Sequence, residues 1–181
     1  MVDACMRALT ATGWINFRMR AMLVSFASHH LWLDWRSFAP WLARQFLDYE
    51  PGIHYPQIQM QSGTTGINTL RIYSPRKQVE DHDPTGIFIR KWVPELVHVP
   101  DEFLAEPARM PELLQQMIGC RVGAGNAEGD GLAYPAPVVD HMTAYRHAQD
   151  RLFTLRATPQ ARTESKAVYQ RHGSRRRTRR S

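Results

Sequence analysis

The densest polar chemistry in this chain lies in eighteen residues, FLDYEPGIHYPQIQMQSG at 46–63. Asp48 and Glu50 precede Pro51-Gly52, His54 and Tyr55 follow, and Gln57, Gln59 and Gln61 add a ladder of amides. Ionised carboxylates only accept hydrogen bonds, so they can hold a cation or a ligand's N–H and O–H groups. A histidine donates, accepts or carries charge near neutral pH. Pro51 pushes Glu50 towards extended backbone, and Gly52 is free to take a positive φ. Periodicity places Asp48 at the C-terminal end of a helix, where the macrodipole disfavours a negative charge. Two readings follow: a solvated helix end, or a site in which a cation compensates the charge. Arg20 is the candidate cation. Arg18 and Arg20 are two apart on one helix and point about 200° apart. Arg20 shares its row with Phe17, Val24 and Ala27, so it faces the core and needs a carboxylate in a bidentate pair, which Asp48 would supply in a dry cavity. Otherwise its stem reaches solvent. Arg18 faces outward, free for a phosphate.

These residues need elements to hold them. The spacing predicts helices over Asp3–Thr12, stopped by Gly13, and over Trp14–His30. A third, Trp35–Asp48, starts from the N-cap Asp34 and places Phe38, Trp41, Leu42 and Phe46 on one face. Pro51 to Asp83 is punctuated by Pro and Gly and reads as irregular. Helices are expected at Pro84–Trp92, Pro111–Ile118 and Asp140–Arg156, with a flexible loop over Gly119–Gly131. Asp81-His82-Asp83, before Pro84, reads as helix capping. Trp32, Trp41 and Trp92 read as core. The fold class is all-α.

With 181 residues, 43% of them hydrophobic, the chain can build one real core. No apolar run is long enough for a membrane span, and Asp3 and Arg7 interrupt any signal-like start. A cytoplasmic protein is expected, with Cys5 and Cys120 as buried free thiols. His29-His30 lacks further ligands at metal spacing, so no metal is expected and the two histidines read as surface or satisfied groups. The net charge of +6 is localised: residues 156–181 hold nine Arg or Lys and one acid, against 14 basic and 16 acidic residues before them. A basic tail at 157–181 is therefore expected, solvated and disordered, with the composition of an arm that binds phosphates without reading sequence.

DACMRALTATGWINFRMRAMLVSFASHHLWLDWRSFAPWL (3–42), RIYSPRKQ (71–78), GIFIRKWVPEL (86–96) and YPAPVVDH (134–141) together resemble the helical FAD-binding half of the photolyase/cryptochrome family. The likeness covers residues 3–156, and a domain over 1–156 is expected. It implies FAD as cofactor and DNA containing pyrimidine dimers as partner, with repair driven by light. A cryptochrome-like binding or sensing module, or an inactive fragment, is the alternative. Position by position, the resemblance makes Arg20 and Asp48 the pair beside the flavin ring. Tyr49 and Glu50 fall in the segment contacting ring and adenosine, and His54 falls where the family usually has an Asn at flavin N5. Trp35 matches the middle member of a tryptophan electron-transfer chain, so Trp35 and His54 are the catalytic candidates. Phe17, Arg18, Met60 and Arg71 match positions near the DNA, and Arg175, Arg176 and Arg177 of the tail are added to them. Ile58 stands where the flavin-proximal tryptophan is expected, and Met60 where an aromatic lines the lesion pocket. The family's N-terminal α/β antenna domain and several helices fall before residue 1. A naturally short or truncated chain is expected, its pocket lacking one wall that a companion chain or oligomer would complete.

Overall fold

The computed structural model describes residues 1–65, 71–123 and 132–172. Helix α1 (Val2–Thr12) ends at Gly13, whose φ of 69° lets its N–H close on Leu9 O. The Asn16 side chain caps α2 (Phe17–Ser25) through Met19 N–H. The long second helix expected here is broken into two regimes. After Ser25 the chain widens into a π-turn, Phe26–His30, with Leu31 N–H bonding Phe26 O. Helix α3 (Trp35–Ala43) is capped by Asp34 as expected, but it ends at Ala43, well short of Asp48.

The largest departure lies in the stretch expected to be irregular. It carries α4 (Pro51–Gln61) and α5 (Pro75–His82). Both start with proline at the first helical position, where its missing N–H costs nothing. Glu50 and Ser74 cap them through Gly52 N–H and Lys77 N–H. Helix α6 (Ile87–Trp92) starts later than expected, because Asp83 accepts from both Phe88 N–H and Ile89 N–H at 3.0 and 2.9 Å. Short helices α7 (Asp101–Leu104) and α8 (Glu112–Met117) lead to strands β1 (Cys120–Val122) and β2 (Leu132–Tyr134), paired in parallel. Helix α9 (His141–Ala157) is capped by Asp140 through Thr143 N–H. Helix α10 (Pro159–His172) then occupies most of the stretch expected to be disordered, while residues 173–181 lie outside the described residues. The fold is helical, with one small parallel strand pair.

Two apolar clusters form the core. One joins Leu9, Met22, Leu23, Leu42 and Ile58 from the first four helices with Phe46 from the segment after α3. The other gathers Val79, Ile89, Val93, Leu104 and Cys120, and Phe88 and Trp92 pack against both. Cys5 and Cys120 are buried free thiols, as expected. Two tryptophans are not core: Trp41 is 49% exposed, and Trp32 is 40% exposed with a φ of 54°. Arg151 of α9 covers the Trp32 ring at 4.4 Å. No helix among the described residues is long and apolar enough to cross a membrane.

His29 and His30 are buried rather than at the surface, each with one ring nitrogen hydrogen-bonded and the other without a partner, so the expectation of satisfied groups holds by half. The π-turn turns both inward. His30 Nε2 lies 3.0 Å from His141 Nδ1, and His141 Nε2 lies 3.0 Å from Ser74 Oγ, so one hydrogen-bonded chain ties α9 to the π-turn and to the start of α5. His30 Nδ1, His29 Nε2 and Ser28 Oγ are buried without partners. Burial lowers the pKa of His30 to about 4, and His141 and His29 push the same way. Burial also lowers His29, against hydrogen bonds from Ser25 and Ser62, and His141, against Glu106 and Asp140 and with Arg76. The unfolded chain therefore takes up these protons at higher pH than the folded one does. The stability they carry is whole above the ordinary histidine value of 6.5 and declines as pH falls through it towards about 4. For His30 alone the shift is worth about 3 kcal/mol at most, less where α9 lifts locally. Thermal melts between about pH 7 and about pH 4 should show this loss, and His30→Phe should flatten it. Equal acid sensitivity in the variant would refute the assignment.

Candidate functional site

Helix α4 lies against α2 and α3 and places its polar side chains in a cleft between them. His54, Gln57, Ile58 and Gln61 of α4 fall at i, i+3, i+4 and i+7, one helical face. All four line the cleft, opposite Phe17, Arg20, Ala21 and Val24 of α2, with Leu42, Phe46 and Ile53 completing it. The enclosed volume is about 30 Å³, enough for one or two waters. The cleft is one wall of a site, and Phe17, Tyr49 and Ile53 stand exposed around it.

The expected pair is present. Arg20 Nη2 lies 2.7 and 2.6 Å from the two Asp48 oxygens, and Nε donates to Ile15 O at 3.2 Å. Its guanidinium also covers the Phe46 ring at 4.0 Å. One nitrogen serves both oxygens, so the pair is not the two-nitrogen fork. Nor is it dry: the Asp48 side chain is 49% exposed and Arg20 22%. An ion pair this open contributes about 1 kcal/mol or less to stability, not the several kcal/mol of a buried pair. The reason for the charge also changes. Asp48 sits in the turn just before Glu50, the N-cap of α4, where the helix dipole favours an anion.

His54 is half-buried, with Nε2 3.1 Å from Ala39 O. Phe46, Tyr49 and Tyr55 meet its ring edge-to-face at 6.0, 5.5 and 5.2 Å. Burial lowers its pKa below the ordinary 6.5, and the nearby Arg20 cation adds to this while the Ala39 bond opposes it. The imidazole is therefore neutral at pH 7. The Glu50 carboxylate is engaged as the cap of α4. Ile58 is 1% exposed, a core residue as much as a cleft residue.

The remaining candidates scatter. Arg18 and Arg71 are exposed, as a phosphate contact requires, and Met60 is partly buried. Trp35 packs against the first core cluster and does not line the cleft. Its Nε1 is buried without a partner, and Arg36 lies over its ring at 4.8 Å. Arg175, Arg176 and Arg177 lie outside the described residues. Sequence reasoning gave Gln57 no role, although its Oε1 is buried, unpartnered and in the cleft. The four-residue spacing from His54 to Gln61 was the available signal once α4 is taken as a helix.

The cleft suits a flat heterocycle: an apolar wall for a ring face, one cation, and a buried acceptor without a partner, Gln57 Oε1. Comparison with known proteins agrees. The family described as the FAD binding domain of DNA photolyase matches residues 1–154. A deoxyribodipyrimidine photo-lyase of Alkalihalophilus pseudofirmus is 36% identical over 143 residues, 78% of this chain and 28% of that protein. A cryptochrome DASH of Gloeobacter violaceus is 31% identical, over 77% of this chain and 27% of that protein. The crystal structure of a bacterial class III photolyase from Agrobacterium tumefaciens superposes with a TM-score of 0.73 at 27% identity, covering 86% of this chain and 31% of that one. The chain thus spans under a third of the relatives it matches. It belongs to the family of photolyase FAD-binding domains, the cryptochromes included.

Proposed function

We propose that this chain is the C-terminal helical part of a photolyase-type FAD site, acting in the cytoplasm on DNA that contains pyrimidine dimers. The observation that carries the reading is the cleft between α2 and α4, where the Arg20–Asp48 pair stands beside the unpartnered Gln57 Oε1 of α4. Reduced FAD, when bound, supplies the electron that light delivers to the dimer. The chain's own residues bind and orient. Arg20 and Asp48 hold the ring, Tyr49 and Glu50 lie towards the adenosine side, and His54 contacts the ring edge. Phe17, Arg18, Met60 and Arg71 face the DNA, with Arg175, Arg176 and Arg177 as a phosphate-binding arm. Trp35 is the candidate electron relay. The open side of the cleft is closed by a further segment or a companion chain. A base must leave the duplex stack to reach such a site.

The test is direct. Purified protein mixed with FAD should retain flavin absorbance through gel filtration, and blue light should then restore a dimer-containing oligonucleotide. Protein that never retains flavin sinks the reading.

A second reading, a cryptochrome-like module that binds without repairing, has its own support. Ile58 is an aliphatic core residue where the resemblance places a tryptophan. Arg36 over Trp35 puts a cation against the ring that would lose an electron. Flavin and DNA binding with no dimer loss under blue light selects this reading.

A further inference from the structure

Trp32 stands in a backbone conformation that suits glycine. Its φ of 54° makes it the only non-glycine residue with positive φ among the described residues. It closes the π-turn, where Leu31 N–H bonds Phe26 O and Leu33 N–H bonds Ala27 O at 3.1 and 3.0 Å. Helix ends of this kind usually carry glycine at the left-handed position, because main-chain groups alone make the closing bonds. A bulky side chain there is strained, and such strain is retained where the side chain has a task. Core packing is not that task. Trp32 joins neither apolar cluster and is 40% exposed.

The surroundings of the ring are cationic. Arg151 lies over it at 4.4 Å, and the His147 ring is 6.3 Å away, tilted by 46°. Both are exposed side chains of α9. The Arg151 guanidinium has no hydrogen-bond or ion-pair partner among the described residues. Helices α9 and α10 together carry six arginines and lysines against two acids. An indole open to solvent beside unused guanidinium donors fits a flat ring joined to a phosphate. A cationic guest, the other common partner of an indole face, would meet the Arg151 charge. The place is separate from the cleft. None of these residues lines the cleft, and the fifteen residues from Phe17 to Trp32 span about 20 Å of helix.

We propose that Trp32, Arg151 and His147 form a second nucleic-acid site, in which an unpaired base stacks on the Trp32 indole while Arg151 and His147 meet its phosphate. The faces of paired bases are closed by their neighbours in a duplex, so this site takes single strand. The same base and phosphate come from a strand or from a free nucleotide. The site works without FAD and does not rest on the FAD reading.

The full chain, in the dark and without added FAD, is titrated into a labelled short oligothymidylate free of dimers, with the matching duplex in parallel, and fluorescence polarisation reads the affinities. Losing one base stack weakens binding roughly 5- to 150-fold. Trp32→Leu, which keeps an apolar side chain against α9, should lose single-strand affinity by that factor and leave duplex binding unchanged. Trp32→Phe should keep most of the affinity. Arg151→Ala should lower the slope of log affinity against log salt by about 0.7, the loss of one phosphate contact on a single strand. Thermal melts confirm that each variant is folded. Binding should also quench tryptophan emission in the parent and not in Trp32→Phe. Quenching by thymidine 5′-monophosphate identifies free nucleotide as a ligand, and quenching by the oligonucleotide alone identifies the strand. Single-strand affinity unmoved in Trp32→Leu, or lost equally for the duplex, overturns the inference and leaves the FAD reading intact.

Discussion

Gly86→Ala should lower unfolding stability by roughly 3–4 kcal/mol, the sum of backbone strain and overpacking. Gly86 sits at φ 66°, in the left-handed region, as the residue leading into α6. A Cβ there would stand 2.9 Å from Arg90 Nη1 and, closer still, would overlap Leu104 Cδ1. Leu104 is buried in the second core cluster, so its side chain can move only by pressing on its neighbours. Arg90 is held by Val97 O, Val99 O and Asp101. Strain and clash therefore add. Gly119→Ala is the control. It has the same φ of 66° with nothing within 4 Å, so only strain of about 1–2 kcal/mol is expected. Urea unfolding of the two variants measures the difference. Equal losses would mean that the Leu104 contact carries no weight.

Arg20→Leu should weaken FAD binding about 10- to 100-fold, the range for losing a hydrogen bond from a charged group, while the fold survives with a modest loss of stability. The modest stability cost follows from exposure. Asp48 is half in water, so losing its partner leaves no buried charge behind. The Ile15 O bond and the Phe46 contact are also lost, at about 1–2 kcal/mol together. Flavin fluorescence titration beside a denaturant melt separates the two effects. Arg20→Lys keeps the charge but not the planar group, and should fall between. Unchanged FAD affinity in Arg20→Leu would remove Arg20 from the site.

What the sequence disclosed follows a physical division. Signals confined to a few residues were legible: Gly13 as a stop, Asp34 and Asp140 as caps, and the Asp83 carboxylate as a cap for α6. The Arg20–Asp48 pair was legible because a guanidinium on a core-facing row demands a partner. Helix α4 was hidden because Pro51, Gly52 and Pro56 look like breakers. Pro51 in fact occupies the first helical position with Glu50 as cap, and neighbours on α2 and α3 hold the rest. Misplacing that helix hid Gln57 and gave Asp48 the wrong end of a dipole. The exposure of Trp32 and Trp41 and the bond from His30 to His141 are set by distant parts of the chain, which local pattern does not report.

The widened turn at Phe26–His30 has a consequence for how this chain can change. A π-turn accommodates one residue more than an α-turn over the same span. Deleting Ala27 would therefore let the turn close into α-helix with its flanks near their present places, whereas deleting a residue of regular α2 would rotate everything after it by about 100°. In the second case His30 would swing away from His141, and Trp35 would leave its place beside the first cluster. Among variants that still fold, the distance from Arg20 to Trp35 along the chain should therefore shorten by no more than the one residue this turn absorbs.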